Sequence, residues 1–131
     1  IKQINRFKKG TNNVRLFKFM GAKIYLSFLK HSDLIIGNSS SGIYEAPTLK
    51  TPTLNIGNRQ LGRKHSRSVI NVSNEKKKIL SALKKIKQNK KKIKFDNIFY
   101  KKNTCAKIYS QLLKILKNKN HDKKFYDFKS K

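Results

Sequence analysis

Apolar and polar positions alternate in blocks along this chain, and the blocks predict a run of short elements. Ile24, Leu26, Phe28 and Leu29, set between Lys23 and Lys30, suit a short helix that ends near His31. Leu34-Ile35-Ile36 is a continuous apolar run, the pattern of a strand covered on both faces inside a parallel sheet. It stops at Gly37, and the small polar residues Asn38-Ser39-Ser40-Ser41-Gly42 follow. Residues 43–49 predict a second helix, with Pro47 awkward unless it falls in the first turn. Thr51-Pro52 marks a turn, Thr53 to Ile56 a strand, Gly57 to Ser66 a polar, basic loop, and Val69 to Val72 another strand. The period then lengthens. Ile79, Leu80, Leu83 and Ile86 form a helical stripe backed by lysines, broken between Asn89 and Lys94. Ile108, Tyr109, Leu112, Leu113, Ile115 and Leu116 build a last helix over about 104–117. Near the start, Val14-Arg15-Leu16-Phe17 is the best short strand in an otherwise mixed segment, 1–22.

Strands alternating with helices over short loops predict an α/β fold, a partial Rossmann-like parallel sheet with flanking helices. The 131 residues allow one domain, expected over 1–117, with a charged tail over 118–131 that Phe125, Tyr126 and Phe128 could pin in part. The chain opens on Ile1 with no charged-then-apolar leader, which suggests a start inside a larger protein. No apolar run approaches the roughly 20 residues that span a bilayer. Cys105 is alone, expected to pack at the start of the last helix, and supports neither a disulfide nor a cysteine metal site. A cytoplasmic protein without membrane contact is expected.

A formal net charge of +27 raises nucleic acid as a partner. Yet 28 of the 33 basic residues are lysine, whereas arginine makes the bidentate base and phosphate contacts. Lysine, asparagine and isoleucine are abundant together and share AT-rich codons. Coding bias on solvated faces therefore accounts for the charge as well as a nucleic-acid partner does.

The candidate chemistry lies between Leu34 and Ala46. A buried strand that runs into a small-residue loop and opens a helix is the place where open α/β sheets bind ligands. Ser39, Ser40, Ser41 and Gly42 offer hydroxyls and accessible backbone N–H groups where a helix dipole favours an anion, and phosphate is the obvious one. Helix capping is the plainer role, but a cap uses one serine and leaves the others unexplained. Glu45, one turn on, either compensates the dipole or accepts hydrogen bonds from a ribose diol. Arg59 and Arg63 sit in the loop after the next strand, at the same sheet edge; they either reach a pyrophosphate or base, or remain solvated loop charge. Of the six acids only Glu45 is near this loop, so no carboxylate pair is available for acid/base work. His31, His65 and His121 read as bystanders. No catalytic residue, metal or cofactor is expected within the chain.

The stretch from Tyr25 to Pro47, with its His31-Ser32-Asp33-Leu34-Ile35-Ile36-Gly37-Asn38-Ser39-Ser40-Ser41-Gly42-Ile43-Tyr44-Glu45-Ala46-Pro47, resembles the hydrolysing UDP-N-acetylglucosamine 2-epimerases. So does Thr51-Pro52-Thr53-Leu54-Asn55-Ile56-Gly57-Asn58-Arg59-Gln60-Leu61-Gly62-Arg63. The likeness is dense from about Val14 to Val72 and looser beyond. It implies the C-terminal domain of a two-domain glycosyltransferase-B-type fold, with UDP held against that domain. It assigns Ser39, Ser40, Ser41 and Gly42 to the diphosphate, Glu45 to the ribose hydroxyls and Arg59 to the UDP moiety. The family eliminates UDP to a glycal and hydrates it to N-acetylmannosamine for sialic or nonulosonic acid synthesis. Its acid/base carboxylates lie in an N-terminal Rossmann-like domain that this chain lacks, so the chain is expected to bind UDP at most. The implied partners are a UDP-sugar substrate, the missing domain and copies of the full-length enzyme. Three alternatives stay open: a parent enzyme acting on UDP-N-acetylglucosamine, one acting on UDP-diacetylbacillosamine in legionaminic acid synthesis, and a lysine-rich nucleic-acid module.

Overall fold

The computed structural model describes residues 2–117 of the chain. Two compact units are present, Ile1–Phe99 and Tyr100–Lys131. The aromatic tail positions Phe125, Tyr126 and Phe128 lie outside the described residues.

The first unit holds α1 (Lys2–Lys9), α2 (Gly21–His31), β1 (Ile35–Gly37), α3 (Ser41–Tyr44), β2 (Thr53–Ile56), β3 (Val69–Val72) and α4 (Lys76–Asn89), with a 3-10 turn at Lys90–Lys92. The three strands form one parallel sheet in the order β1-β2-β3. Register sets Ile36 beside Leu54 and Leu54 beside Ile70 on one face, and Ile35, Thr53 and Val69 side by side on the other. α4 covers the Leu54 and Ile70 face, its Ala82 and Ile86 sharing a hollow with Ile70. α3 lies against β2 on the opposite face. The core is small: Leu29, Ile43, Ala46, Leu54, Val69 and Ile86 are its buried apolar members. Buried hydroxyls extend it, each given a partner as burial demands. Thr51 Oγ1 donates to the Leu29 carbonyl at 2.6 Å and Thr53 Oγ1 to that of Gly42 at 2.9 Å.

The parallel sheet, the strands at 53–56 and 69–72, and helices ending at His31, Asn89 and Lys117 agree with the pattern of the sequence. Four expectations need correction. Val14 to Phe17 is irregular, because among the described residues no strand pairs with it and an isolated strand has no ladder to join. Residues 2–9 form a helix instead, marked only by Ile4 and Phe7 at helical spacing among basic residues. The helix expected over 43–49 is confined to Ser41–Tyr44. Pro47 has no N–H for the Ile43 carbonyl, and the chain turns through 45–50 on wider bonds such as Ala46 N–H to Ser41 O at 3.0 Å. Ile36 is 52% exposed, since β1 is an edge strand and α4 covers only its neighbours.

The second unit carries α5 (Thr104–Lys117). Its apolar residues Ile108, Tyr109, Leu112, Leu113, Ile115 and Leu116 are all exposed. Cys105, expected to be packed, is exposed as well, because α5 has no other described element of its own unit to lie on.

Candidate functional site

The serine loop stands at the carboxyl end of β1. Gly37 closes the strand at φ +146°, a backbone state that side-chain-bearing residues rarely adopt, and this bend starts the loop. Ser39 and Ser40 are exposed, and Ser41 opens α3. The helical bonds begin at once, from Gly42 N–H to Ser39 O at 3.2 Å and from Ile43 N–H to Ser40 O at 2.9 Å. Ser39 Oγ takes the Ser41 N–H at 3.3 Å, while the N-cap Ser40 makes no side-chain cap bond. Capping therefore employs Ser39 weakly and Ser40 not at all. Among the described residues the backbone N–H groups of Ser39 and Ser40 also meet no acceptor. Two amides and two or three hydroxyls are thus available in one small loop, donors and no carboxylate, which is what a phosphate needs.

Packing holds α3 in place. A Cβ on Gly42 would fall 2.5 Å from Thr53 Cγ2, so only glycine allows this approach of helix to strand. Tyr25, on α2, donates its hydroxyl to Ser41 Oγ at 2.9 Å. That bond links the serine loop to a hollow of about 490 Å³ lined by Phe17, Phe19, Met20 and Tyr25 among others. The sequence reading missed Tyr25, whose helical position gives no hint of a partner sixteen residues on.

Glu45 is exposed and lies just past the end of α3, not within it; its carboxylate has no ion pair or hydrogen-bond partner among the described residues. Arg59 is exposed and likewise unengaged. Arg63, for which solvated loop charge was the other expectation, has its guanidinium 5.9 Å from the centre of the Tyr44 ring, a cation–π contact with α3. Tyr44 also packs edge-on against Phe99, the ring centres 4.7 Å apart. The arginine loop is tied to the serine loop by Gln60, which sequence reasoning passed over. Its Nε2 donates to the Asn38 carbonyl at 2.7 Å. Its Oε1 is buried without a partner, an arrangement that costs about 1–3 kcal/mol.

His65 is part of a polar chain along the strand ends. Nδ1 lies 3.0 Å from the Ser66 carbonyl, which can only accept, so the proton sits on Nδ1. Nε2 is then the acceptor for Asn71 Nδ2 at 3.0 Å, and Asn71 Oδ1 accepts from Asn55 Nδ2 at 2.7 Å. His31 is exposed at the end of α2. No helix of the described residues is long and apolar enough to cross a membrane.

The family model for UDP-N-acetylglucosamine 2-epimerase matches residues 1–113. The chain belongs to that family. Among its relatives in the epimerase family, the polysialic acid biosynthesis protein P7 of Escherichia coli is 42% identical over 108 residues, which cover 79% of this chain and 27% of that protein. The GDP/UDP-N,N'-diacetylbacillosamine 2-epimerase (hydrolyzing) of Campylobacter jejuni is 46% identical over 66 residues, 50% of this chain and 17% of its own length. The UDP-N,N'-diacetylbacillosamine 2-epimerase (hydrolyzing) of Legionella pneumophila is 38% identical over 104 residues, again 79% and 27%. The chain thus spans about a quarter or less of the epimerases it matches.

Proposed function

We propose that this chain supplies the UDP half-site of a hydrolysing UDP-sugar 2-epimerase, one that converts UDP-N-acetylglucosamine to N-acetylmannosamine and UDP for sialic or nonulosonic acid synthesis. The observation that carries the reading is the serine loop, with the unspent N–H groups of Ser39 and Ser40 at the carboxyl end of a parallel strand. In such a reaction the bond to the diphosphate breaks and negative charge grows on the departing oxygens. Fixed donors aimed at that charge stabilise the transition state more than the ground state. The Ser39 and Ser40 amides and the hydroxyls of Ser39, Ser40 and Ser41 are the donors, Gly42 keeps the loop open beside them, and Arg59 and Arg63 add positive charge from the neighbouring loop. The free carboxylate of Glu45 suits the two ribose hydroxyls, since it can accept both. The hollow beside Tyr25 is lined mainly by aromatic and apolar residues, which suits a planar base. The acid/base groups come from the remainder of the enzyme, so the chain binds UDP and does not turn over. The single free cysteine accords with the reducing cytoplasm.

Calorimetry with UDP and 2′-deoxy-UDP tests this. Weak binding is expected, with UDP preferred over the deoxy analogue. Glu45→Ala should erase that preference while leaving the weaker affinity in place. A chain that is folded by circular dichroism yet gives no heat with millimolar UDP would sink the proposal. A second reading concerns the sugar alone. The two relatives named for diacetylbacillosamine favour a parent enzyme for UDP-diacetylbacillosamine. Turnover of both UDP-sugars by the intact enzyme decides between them.

A further inference from the structure

Gln60 stands among exposed basic residues and is itself only 5% exposed. A buried amide needs a partner at each end, and this one has a partner at one end only. Turning the amide over would set Oε1 against the Asn38 carbonyl oxygen, two acceptors face to face, so the observed orientation is the better of the two. As a simple tether the residue is poorly chosen. An apolar side chain of the same shape would keep the packing and remove the unpartnered amide oxygen. What it would lose is the hydrogen bond to Asn38, and that bond acts on the candidate anion site directly.

The Asn38 carbonyl and the Ser39 N–H belong to one planar peptide unit and point in opposite directions. A donor holding the carbonyl from one side therefore fixes the N–H toward the other. It also polarises the unit, which makes the N–H a stronger donor. Gln60 is meanwhile part of the loop that carries Arg59 and Arg63. We propose that Gln60 is a positioning residue for the diphosphate: it sets the Asn38–Ser39 peptide so that Ser39 N–H faces the anion, and it couples that peptide to the arginine loop. The inference rests on the UDP half-site reading for its ligand, while the peptide restraint stands apart from it.

Two variants and three measurements test the proposal. Gln60→Leu removes the donor and the unpartnered oxygen together. Its melting temperature should match or exceed that of the original chain, while UDP affinity falls about tenfold, the worth of one hydrogen bond to a charged group. A structural role alone predicts the reverse, lower stability with affinity kept. Gln60→Glu faces the Asn38 carbonyl with a carboxylate at neutral pH and with a donating hydroxyl once protonated. Burial against a carbonyl oxygen raises such a carboxyl above its ordinary value of about 4.3. The variant's UDP affinity relative to the original chain should therefore recover as pH falls from about 8 to about 5. If the leucine variant does not fold, this ratio decides, and a flat ratio overturns the proposal. Independently of any ligand, the NMR order parameter of the Ser39 amide should drop in Gln60→Leu, from the roughly 0.85 of rigid backbone. An unchanged value there overturns the proposal whatever UDP does. Should the original chain not bind UDP, the half-site reading falls, and the order parameter alone decides for or against Gln60.

Discussion

Asp96 shows how much of this small structure hangs on single polar groups. Its Oδ1 accepts the Arg67 backbone N–H and the Ser66 hydroxyl, each at 2.9 Å, and Oδ2 accepts Arg67 Nε at 3.1 Å. Ser66 and Ser68 beneath it are buried and bonded to each other. The backbone N–H of Arg67 first, then the Ser66 hydroxyl, hold the Asp96 carboxyl well below its ordinary value of 3.8, at about 2. A depressed carboxyl contributes stability that is present above the unfolded value and lost as pH falls through the folded one. The chain should therefore melt at steadily lower temperature between about pH 4 and pH 2. Asp33, beside Lys90, and Glu75, beside Lys78 and Ser73, are lowered too and add a shared background. Asp96→Asn keeps the shape but cannot accept as strongly, so its melting temperature should be lower at neutral pH and decline less toward acid. Parallel melting curves for the two proteins would show that Asp96 is not the acid-sensitive group. Nothing in the sequence marked Asp96, because its partners lie about thirty residues away.

At the scale of elements, the join between α3 and β2 decides whether the serine loop has its shape. Thr53 is buried, and its Oγ1 is committed to the Gly42 carbonyl, so the side chain cannot rotate away from an intruding methyl group. Gly42→Ala should destabilise the chain by about 1–3 kcal/mol and weaken UDP binding, as the overpacked contact pushes α3 off the strand. Thr53→Ser removes the Cγ2 that the new methyl would meet and keeps the hydroxyl. The double variant should therefore melt above Gly42→Ala, and failure to do so would mean that the contact is not the cause. The sequence showed the strand and the loop, since these are local patterns, but it offered Gly42 for its open backbone and not for its packing on Thr53. It overestimated α3 because Pro47 ends helices through a missing bond whose effect depends on where the first turn falls. It placed Glu45 near the loop correctly but inside a helix that stops one residue earlier. Gln60 and Tyr25 were illegible for another reason: each acts through one long-range hydrogen bond, and no periodicity encodes such a bond.

On the scale of the whole molecule two opposing surface properties set the solution behaviour. The charge of +27 makes copies repel one another. Against this, β1 is a sheet edge with Ile36 exposed, and Phe7, Phe17, Phe19 and Leu116 also stand in solvent. An open parallel edge and exposed apolar side chains are each templates for association. Repulsion between exposed charges acts over a Debye length, about 10 Å at 0.1 M salt and about 3 Å at 1 M, whereas apolar association does not weaken with salt. The chain should therefore scatter light as small species in dilute buffer and associate as sodium chloride rises. Association through the edge predicts that Ile36→Lys, which sets a charge on β1, raises the salt concentration at which scattering begins. If Ile36→Lys and Leu116→Lys delay scattering equally, the edge has no special part, because each then acts only by adding one positive charge and removing one apolar side chain. A chain that stays monomeric at high salt would mean that its apolar surfaces are too dispersed to pair.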